Sequence, residues 1–308
     1  MSADAGLLAG YIADVVLGDP PRWHPVAGLG RTAAAVERVV YAPTRTRGVL
    51  HTAGLVTLSA LAAEVAARRC GRTPVLALVT WAALGGRSLT RVAQTIAECL
   101  ERGDLEGARA ELPTLVGRDP AALDEADICR AVIESVAENT GDAVVGALLW
   151  GALAGPAGVV AYRAANTLDA MVGHRTERYE RFGWAAARLD DLLGWPSARV
   201  AATLAALCAP VVGGSPRQAW RTLRRDGAAH PSPNAGRLEA AFAGALGVRL
   251  GGTLAYSGRV EHRPVIGDGP APTPRDVRRA ARLSRAIAAL AAVGLAAARR
   301  AHSLDGAR

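Results

Sequence analysis

Uncharged apolar runs recur along this chain, and the segments between them hold nearly all of its polar side chains. From Ala143 to Tyr162 twenty consecutive residues carry no charge, about the length an α-helix needs to cross the hydrocarbon core of a bilayer. Further apolar segments fall near 5–18, 48–67, 73–86, 198–216 and 286–298. The pattern predicts an all-α fold: a polytopic membrane helical bundle forming a single integral membrane domain over 1–308. A cytosolic helical segment at 87–142 and polar loops at 163–197 and 217–285 would connect the spans. The runs near 48–67 and 73–86 are short for single spans and read together as a helical hairpin.

The first apolar segment lacks a basic flank and a small-residue cleavage site, so Leu7 to Leu17 reads as a retained anchor or core helix. It ends at GDPPRWHP, where two prolines stop a helix. Asp19, Arg22, His24 and Arg31 then sit just outside it, either as a capped end with a Trp interface anchor or as part of a site. A straight helix over 143–162 would put its two polar flanks on opposite membrane faces. The GPAG at Gly155 to Gly158 is expected to bend the run and return the chain to the side it left, which is tolerated where protein shields the backbone.

Between Arg87 and Glu138 the period becomes that of amphipathic helices. Gly103 closes the first of them, and Asp119 followed by Pro120 is expected to open the last. On that last helix Ile128, Val132, Ile133 and Val136 form one stripe, while Asp127, Glu134 and Glu138 share the opposite face with Arg130 at its edge. A solvated surface and a ligand-holding face both fit this spacing. After the apolar run, Arg163, Asn166 and Asp169 align at intervals of three, with Leu168, Met171 and Val172 turned away. Gly173 is expected to end that helix, with His174 and Arg175 at its negative pole. A short helix around Asp190 and Asp191 follows.

Composition narrows the choices. The net charge is +8, yet every basic residue is arginine, spread through the connecting segments, and aromatics are only 4%. A base-stacking nucleic-acid platform is thereby disfavoured. Cys70, Cys99, Cys129 and Cys208 form no CxxC pair, and the histidines form no HxxxH or HExxH pattern. Neither a disulfide framework nor a transition-metal site is expected. A chain without lysine has no Walker A motif.

Four blocks carry a family resemblance: GDPPRWHPVAGLGR near the start, VGRDPAALDEADICRAVIESVAENTGDAVVGALLW in the middle, AANTLDAMVGHRTERYERFGWAAARLDDLLGWPSAR after it, and SPNAGRLEAAFAGALGVRLGG toward the end. In content and order they resemble the CobD/CbiB family of cobalamin biosynthesis, with small departures at Gly141 and His174. The resemblance implies a multi-pass cell-membrane protein with its site facing the cytoplasm. It also implies adenosylcobinamide-phosphate synthase activity, in which ATP drives an amide bond between a propionate of adenosylcobyric acid and aminopropanol or its phosphate.

Such chemistry calls for ATP, for Mg2+ on oxygen ligands, and for positive groups on the transferring phosphoryl. On the resemblance, Glu134, Glu138, Asp142 and Asp169 are the candidate metal ligands, and Glu134, Glu138, Asp169, His174 and His24 the candidate catalytic groups. Asn139, Asn166 and Asn234, with Arg118, Arg175 and Arg178, are the candidates for binding substrate or nucleotide. Membrane lipid and other late cobalamin-assembly enzymes are the expected partners. The competing reading is a membrane corrinoid-transport or scaffolding component, with Asp14 and His51 inside the apolar runs lining a path.

Overall fold

The computed structural model describes residues 3–19, 24–117, 120–256 and 259–305. Among them are twelve α-helices: α1 (Ala3–Leu17), α2 (Pro25–Val40), α3 (Arg45–Cys70), α4 (Arg72–Leu84), α5 (Gly86–Glu101), α6 (Leu105–Glu111), α7 (Glu125–Asn139), α8 (Gly146–Val172), α9 (Trp184–Cys208), α10 (Pro216–Asp226), α11 (Ala235–Leu246) and α12 (Pro274–Asp305). The fold is all-α apart from one antiparallel hairpin, β1 (Leu250–Tyr256) and β2 (Arg259–Ile266). Among the described residues four helical stretches are long and apolar enough to cross a membrane: Arg45–Cys70, Glu125–Val172, Trp184–Val212 and Pro274–Ala301. The chain is a membrane protein.

The chain folds as two compact units, one of residues 1–85, 142–197 and 291–308, the other of residues 86–141 and 198–290. In the first, Thr44 caps α3 by accepting the Arg47 N–H at 3.4 Å. The α3–α4 pair turns at Gly71 (φ 91°), as a helical hairpin requires. α1 lies on α4 through small residues: a Cβ on Gly10 would sit 2.6 Å from the Thr80 Cβ, and one on Gly6 2.8 Å from the Thr73 carbonyl. Small residues that let backbones approach are how helices associate in lipid, where no hydrophobic force drives them together. Ala33, Leu55, Leu168, Val172, Phe182 and Ala186 form a buried cluster, on which the His51 ring packs, 5.1 Å from Phe182.

The break expected at GPAG is present. Gly155 adopts φ 67° and ψ −149°, a region essentially restricted to glycine, and Pro156 follows it. The two arms of α8 then run back along each other. A Cβ on Gly146 would lie 2.3 Å from the Tyr162 ring, and one on Gly151 2.9 Å from Val159 Cγ2. On a straight helix positions 146 and 162 would be about 24 Å apart. The arm 146–154 rises only about 14 Å, well short of a bilayer core. Carbonyls freed by the break are taken up by Arg299, whose Nη1 donates to Gly151 O at 2.8 Å and also to Ala152 O.

In the second unit α5 ends in a Schellman motif: Gly103 (φ 73°) allows Asp104 N–H to reach Cys99 O and its own N–H to reach Leu100 O, both at 2.9 Å. Such a left-handed residue satisfies the last carbonyls of a helix. α7 starts later than the Asp-Pro pair suggested. Its cap is Asp124, accepting the Asp127 N–H at 2.8 Å, while Asp119 lies outside the described residues. A π-helical turn, Thr140–Val145, leads from α7 toward α8.

Three further boundaries differ from the sequence reading. The short helix at Asp190 and the apolar run near 198–216 are one helix, α9, which continues through Pro196. The basic stretch from Arg275 and the last apolar run are likewise one helix, α12. The segment 217–285, read as polar loop, contains α10, α11 and the β hairpin. Its glycines suggested punctuation, but several of them let backbones close on one another instead.

Candidate active site

The polar flank that follows the apolar run belongs to the first unit, together with Asp142 at the edge of the flank that precedes it. On the second arm of α8, Arg163 Nη1 donates to Asn166 Oδ1 at 3.1 Å, and Asn166 Nδ2 donates to Asp190 Oδ1 on α9 at 3.2 Å. Only one orientation of the Asn166 amide satisfies both bonds, so its oxygen faces the cation and its nitrogen the carboxylate. The carboxylates of Asp142, Asp19 and Asp190, from three separate segments, all act on the Arg163 guanidinium. Asp19 Oδ1 in turn lies 3.5 Å from His24 Nε2.

His24 is also the cap of α2, its Nδ1 accepting the Val26 N–H at 3.2 Å. In the neutral ring the proton is then on Nε2, toward Asp19, and the lone pair on Nδ1 is already engaged. His174 differs. Its Nε2 lies 2.9 Å from Ala170 O in the last turn of α8, so the neutral ring donates there and keeps Nδ1 as its basic nitrogen. Asp169 feels the charges of Asp191 and His174. Asp191 is 3.7 Å from Arg188 and also feels Arg175, which is exposed. Arg31, on α2, is exposed.

Arg178 is differently engaged. It donates to the buried Glu37 at 3.0 Å and stacks over the Tyr41 ring at 4.2 Å, while Tyr179 Oη donates to the same Glu37 oxygen at 3.0 Å. A guanidinium held this way latches the 174–183 turn to α2.

The second unit holds the α7 residues. On the face shared by Asp127, Glu134 and Glu138, Glu134 is not solvated: it is only 4% exposed, and its Oε1 accepts the Gly251 N–H at 2.9 Å. Gly251 has φ 71°, and a Cβ there would meet the Pro264 carbonyl at 2.0 Å, so the strand presents its N–H to Glu134 only because this residue is glycine. One turn earlier Arg130 pairs with Asp127 at 2.7 Å. Both line a cavity of about 200 Å³ together with Arg249, Gly251 and Gly252. Glu138 is exposed. Asn139 folds back onto its own helix, donating to Ser135 O at 2.9 Å. Asn234, 6% exposed, stands at the start of α11 and accepts from Arg199 at 3.4 Å.

Of the residues singled out from sequence, His24, Asp142 and Asn166 gather with Asp19 and Asp190 in a polar network around Arg163; Asp169, His174 and Arg175 form a second group about Asp191; and Glu134 belongs to the second unit's α7–β1 contact. Arg118, Arg22 and the Trp at 23 lie outside the described residues. Among the described residues no three His, Cys, Asp or Glu side chains converge as a metal cage. The centre of the network, Arg163, was passed over as a site residue. Its position, the first charge after an uncharged run, was the available signal, since an arginine at a lipid boundary is costly unless it is partnered.

This geometry defines a polytopic helical membrane protein in which α8, broken at Gly155, folds into a hairpin that brings acidic, amide and guanidinium groups together around Arg163. The match to known proteins is specific: residues 7–284 fit the model of the CobD/Cbib protein family, and the chain belongs to that family, which serves cobalamin biosynthesis. It is 54% identical over 291 residues to the "Cobalamin biosynthesis protein CobD" of Mycobacterium tuberculosis (strain CDC 1551 / Oshkosh), covering 94% of this chain and 93% of that one. It is 44% identical to the protein of the same name from Chromobacterium violaceum, over 93% of this chain and 94% of that one. The Rhodobacter capsulatus protein of that name is 41% identical, over 85% of each chain. No solved structure matches the chain.

Proposed function

We propose that the protein is an ATP-dependent acid–amine ligase, joining aminopropanol or aminopropanol phosphate to a propionate carboxylate of adenosylcobyric acid and releasing adenosylcobinamide or its phosphate. The observation that carries this reading is membership of a cobalamin-biosynthesis family along residues 7–284. The polar network of the first unit supports it chemically. ATP with Mg2+ would supply activation of the carboxylate, which is otherwise a poor acyl donor in water. Asp142 beside Arg163 and Asp169 beside Asp191 offer hard oxygen ligands of the kind such an ion takes. Magnesium commonly takes only one or two carboxylates and fills its shell with water and phosphate oxygens.

The chain's own groups would then bind and orient. Arg163, fixed by Asn166, holds positive charge where anionic substrate arrives. The exposed fork of Arg175 suits a phosphate or a corrinoid carboxylate. His174, with Nδ1 open, takes the proton that the incoming ammonium must lose before its nitrogen can attack. In the competing transport reading His51 would line a path, but its Nε2 faces Ala33 O at 3.2 Å and its ring packs in the buried cluster, which favours a structural role. We place the polar network on the cytoplasmic side, where nucleotide is available.

The test uses purified full-length protein in detergent with adenosylcobyric acid, ATP, Mg2+ and either amine, followed for cobinamide product and phosphate release. Product with one amine, and none without ATP, is the expected result. Absence of product with both amines, together with uptake of labelled corrinoid into vesicles, would establish the transport reading in its place.

A further inference from the structure

The second unit contains a cleft that the reading above does not use. It has a volume of about 280 Å³ and lies between α10, the end of α11 and the Gly267–Gly269 turn. That volume sits at the lower edge of the roughly 300–1,000 Å³ typical of ligand pockets. It suits a small phosphomonoester or the end of a polyphosphate, not a corrinoid.

Three arginines line it at helical spacing, Arg217, Arg221 and Arg225, and they are unequally satisfied. Arg225 is held at the rim by Asp226, at 2.6 Å and 2.7 Å, and by Asp268. Arg217 and Arg221 have no hydrogen-bond or ion-pair partner among the described residues. Like charges four residues apart on a helix repel, so this pair is a standing cost that an anion would relieve. The second observation is independent of charge. Thr222, 6% exposed, lines the same cleft, and its hydroxyl has no hydrogen-bond partner among the described residues. Its Oγ1 also borders Gly244, another residue of the cleft wall, so the hydroxyl is placed to donate into the cleft.

We propose that this cleft is a phosphoryl-binding site, in which the guanidinium groups of Arg217 and Arg221 and the Thr222 hydroxyl donate to the oxygens of one phosphate group. Guanidinium forks match phosphate oxygens in pairs. The inference does not depend on the ligase reading. Two sources share the chemistry. One is a soluble phosphate compound. The other is a phospholipid headgroup, since α10 follows the apolar stretch Trp184–Val212 and juxtamembrane arginines attract anionic lipid.

Calorimetric titration of the full-length protein in detergent with inorganic phosphate and with pyrophosphate tests the first source. Titration with nanodiscs of phosphatidylcholine alone or with added phosphatidic acid tests the second. Arg217→Ala and Arg221→Ala should each weaken binding about tenfold or more, as expected for loss of a charge-assisted hydrogen bond. Thr222→Val should weaken it several-fold. Arg224→Ala removes an equal charge outside the cleft and should change it by less than about twofold. Thermal unfolding of each variant checks that the fold persists, as expected for exposed arginines. Binding of phosphate or pyrophosphate identifies a soluble ligand; binding only of phosphatidic acid discs, with the same dependence on Arg217 and Arg221, identifies a headgroup. The proposal is overturned if none of the probes binds, if Arg217→Ala and Arg221→Ala leave binding unchanged, or if Arg224→Ala is equally damaging.

Discussion

Glu134 shows how a single buried carboxylate acts through the backbone it meets. Its oxygen accepts a buried N–H from Gly251, 117 positions away in sequence, and so ties α7 to the start of β1. Glu134→Ala strands that N–H, which should cost about 1–3 kcal/mol. Glu134→Gln keeps an acceptor oxygen and should cost less. Unfolding of both variants in detergent measures the difference. Ligase activity lost in Glu134→Gln at unchanged stability would instead place this carboxylate in the chemistry.

Asp226 offers a pH-dependent counterpart outside the spans. Its hydrogen bonds from Arg225 first, and from the Gly267 N–H at 2.8 Å, hold its carboxyl below the usual carboxylate range against the opposing effect of burial. A depressed folded-state pKa stabilises the protein above the unfolded value of about 3.9 and is lost as pH falls through the lower folded one. Asp226→Asn should therefore lower the melting temperature at neutral pH, with the gap to wild type closing in acid. Melting curves across that range check the sign.

At the scale of elements the hairpin in α8 matters most. Gly155→Ala places a Cβ in a backbone region that side chains avoid, at a cost of order 1–3 kcal/mol. The expected outcome is a misformed hairpin. In a variant without native cysteines, cysteines introduced at 142 and 169 should be labelled by an impermeant reagent from the same side of sealed vesicles. The Gly155→Ala background should lose that common labelling. A parent protein labelled from opposite sides would refute the re-entrant geometry outright.

The hairpin was legible in the sequence because a Gly-Pro pair past the middle of a charge-free run has few other physical meanings. The boundaries of α9 and α12 were not. Hydropathy marks the apolar half of each helix and is silent about the polar half that continues it through Asp190 or Arg275. The cap of α7 was missed for a related reason: Asp119 and Asp124 are both good cap residues, and only packing decides between them.

At the scale of the whole molecule, each compact unit is assembled from segments far apart in the chain, and four crossings between them, at 85, 141, 197 and 290, interleave the two in sequence. Local patterns predicted helices well but could not show that Glu134 belongs with Gly251, or Arg163 with Asp19 and Asp190. Alternation of charge and apolarity along a helix records which face is buried, not what lies against it. The network around Arg163 was recoverable only in part, from the three-residue spacing of Arg163 and Asn166. The phosphoryl cleft left even less trace, because arginine and glycine are abundant everywhere in this composition.

Arg299 takes up carbonyls of the broken helix 148 positions earlier in the chain. On the ribosome, residues 146–154 therefore emerge long before the side chain that satisfies their open end. Until then those carbonyls must keep water or borrow another donor, so the hairpin cannot settle in lipid as a finished element during early synthesis. Its final seating is a late event of biogenesis, timed by the arrival of α12.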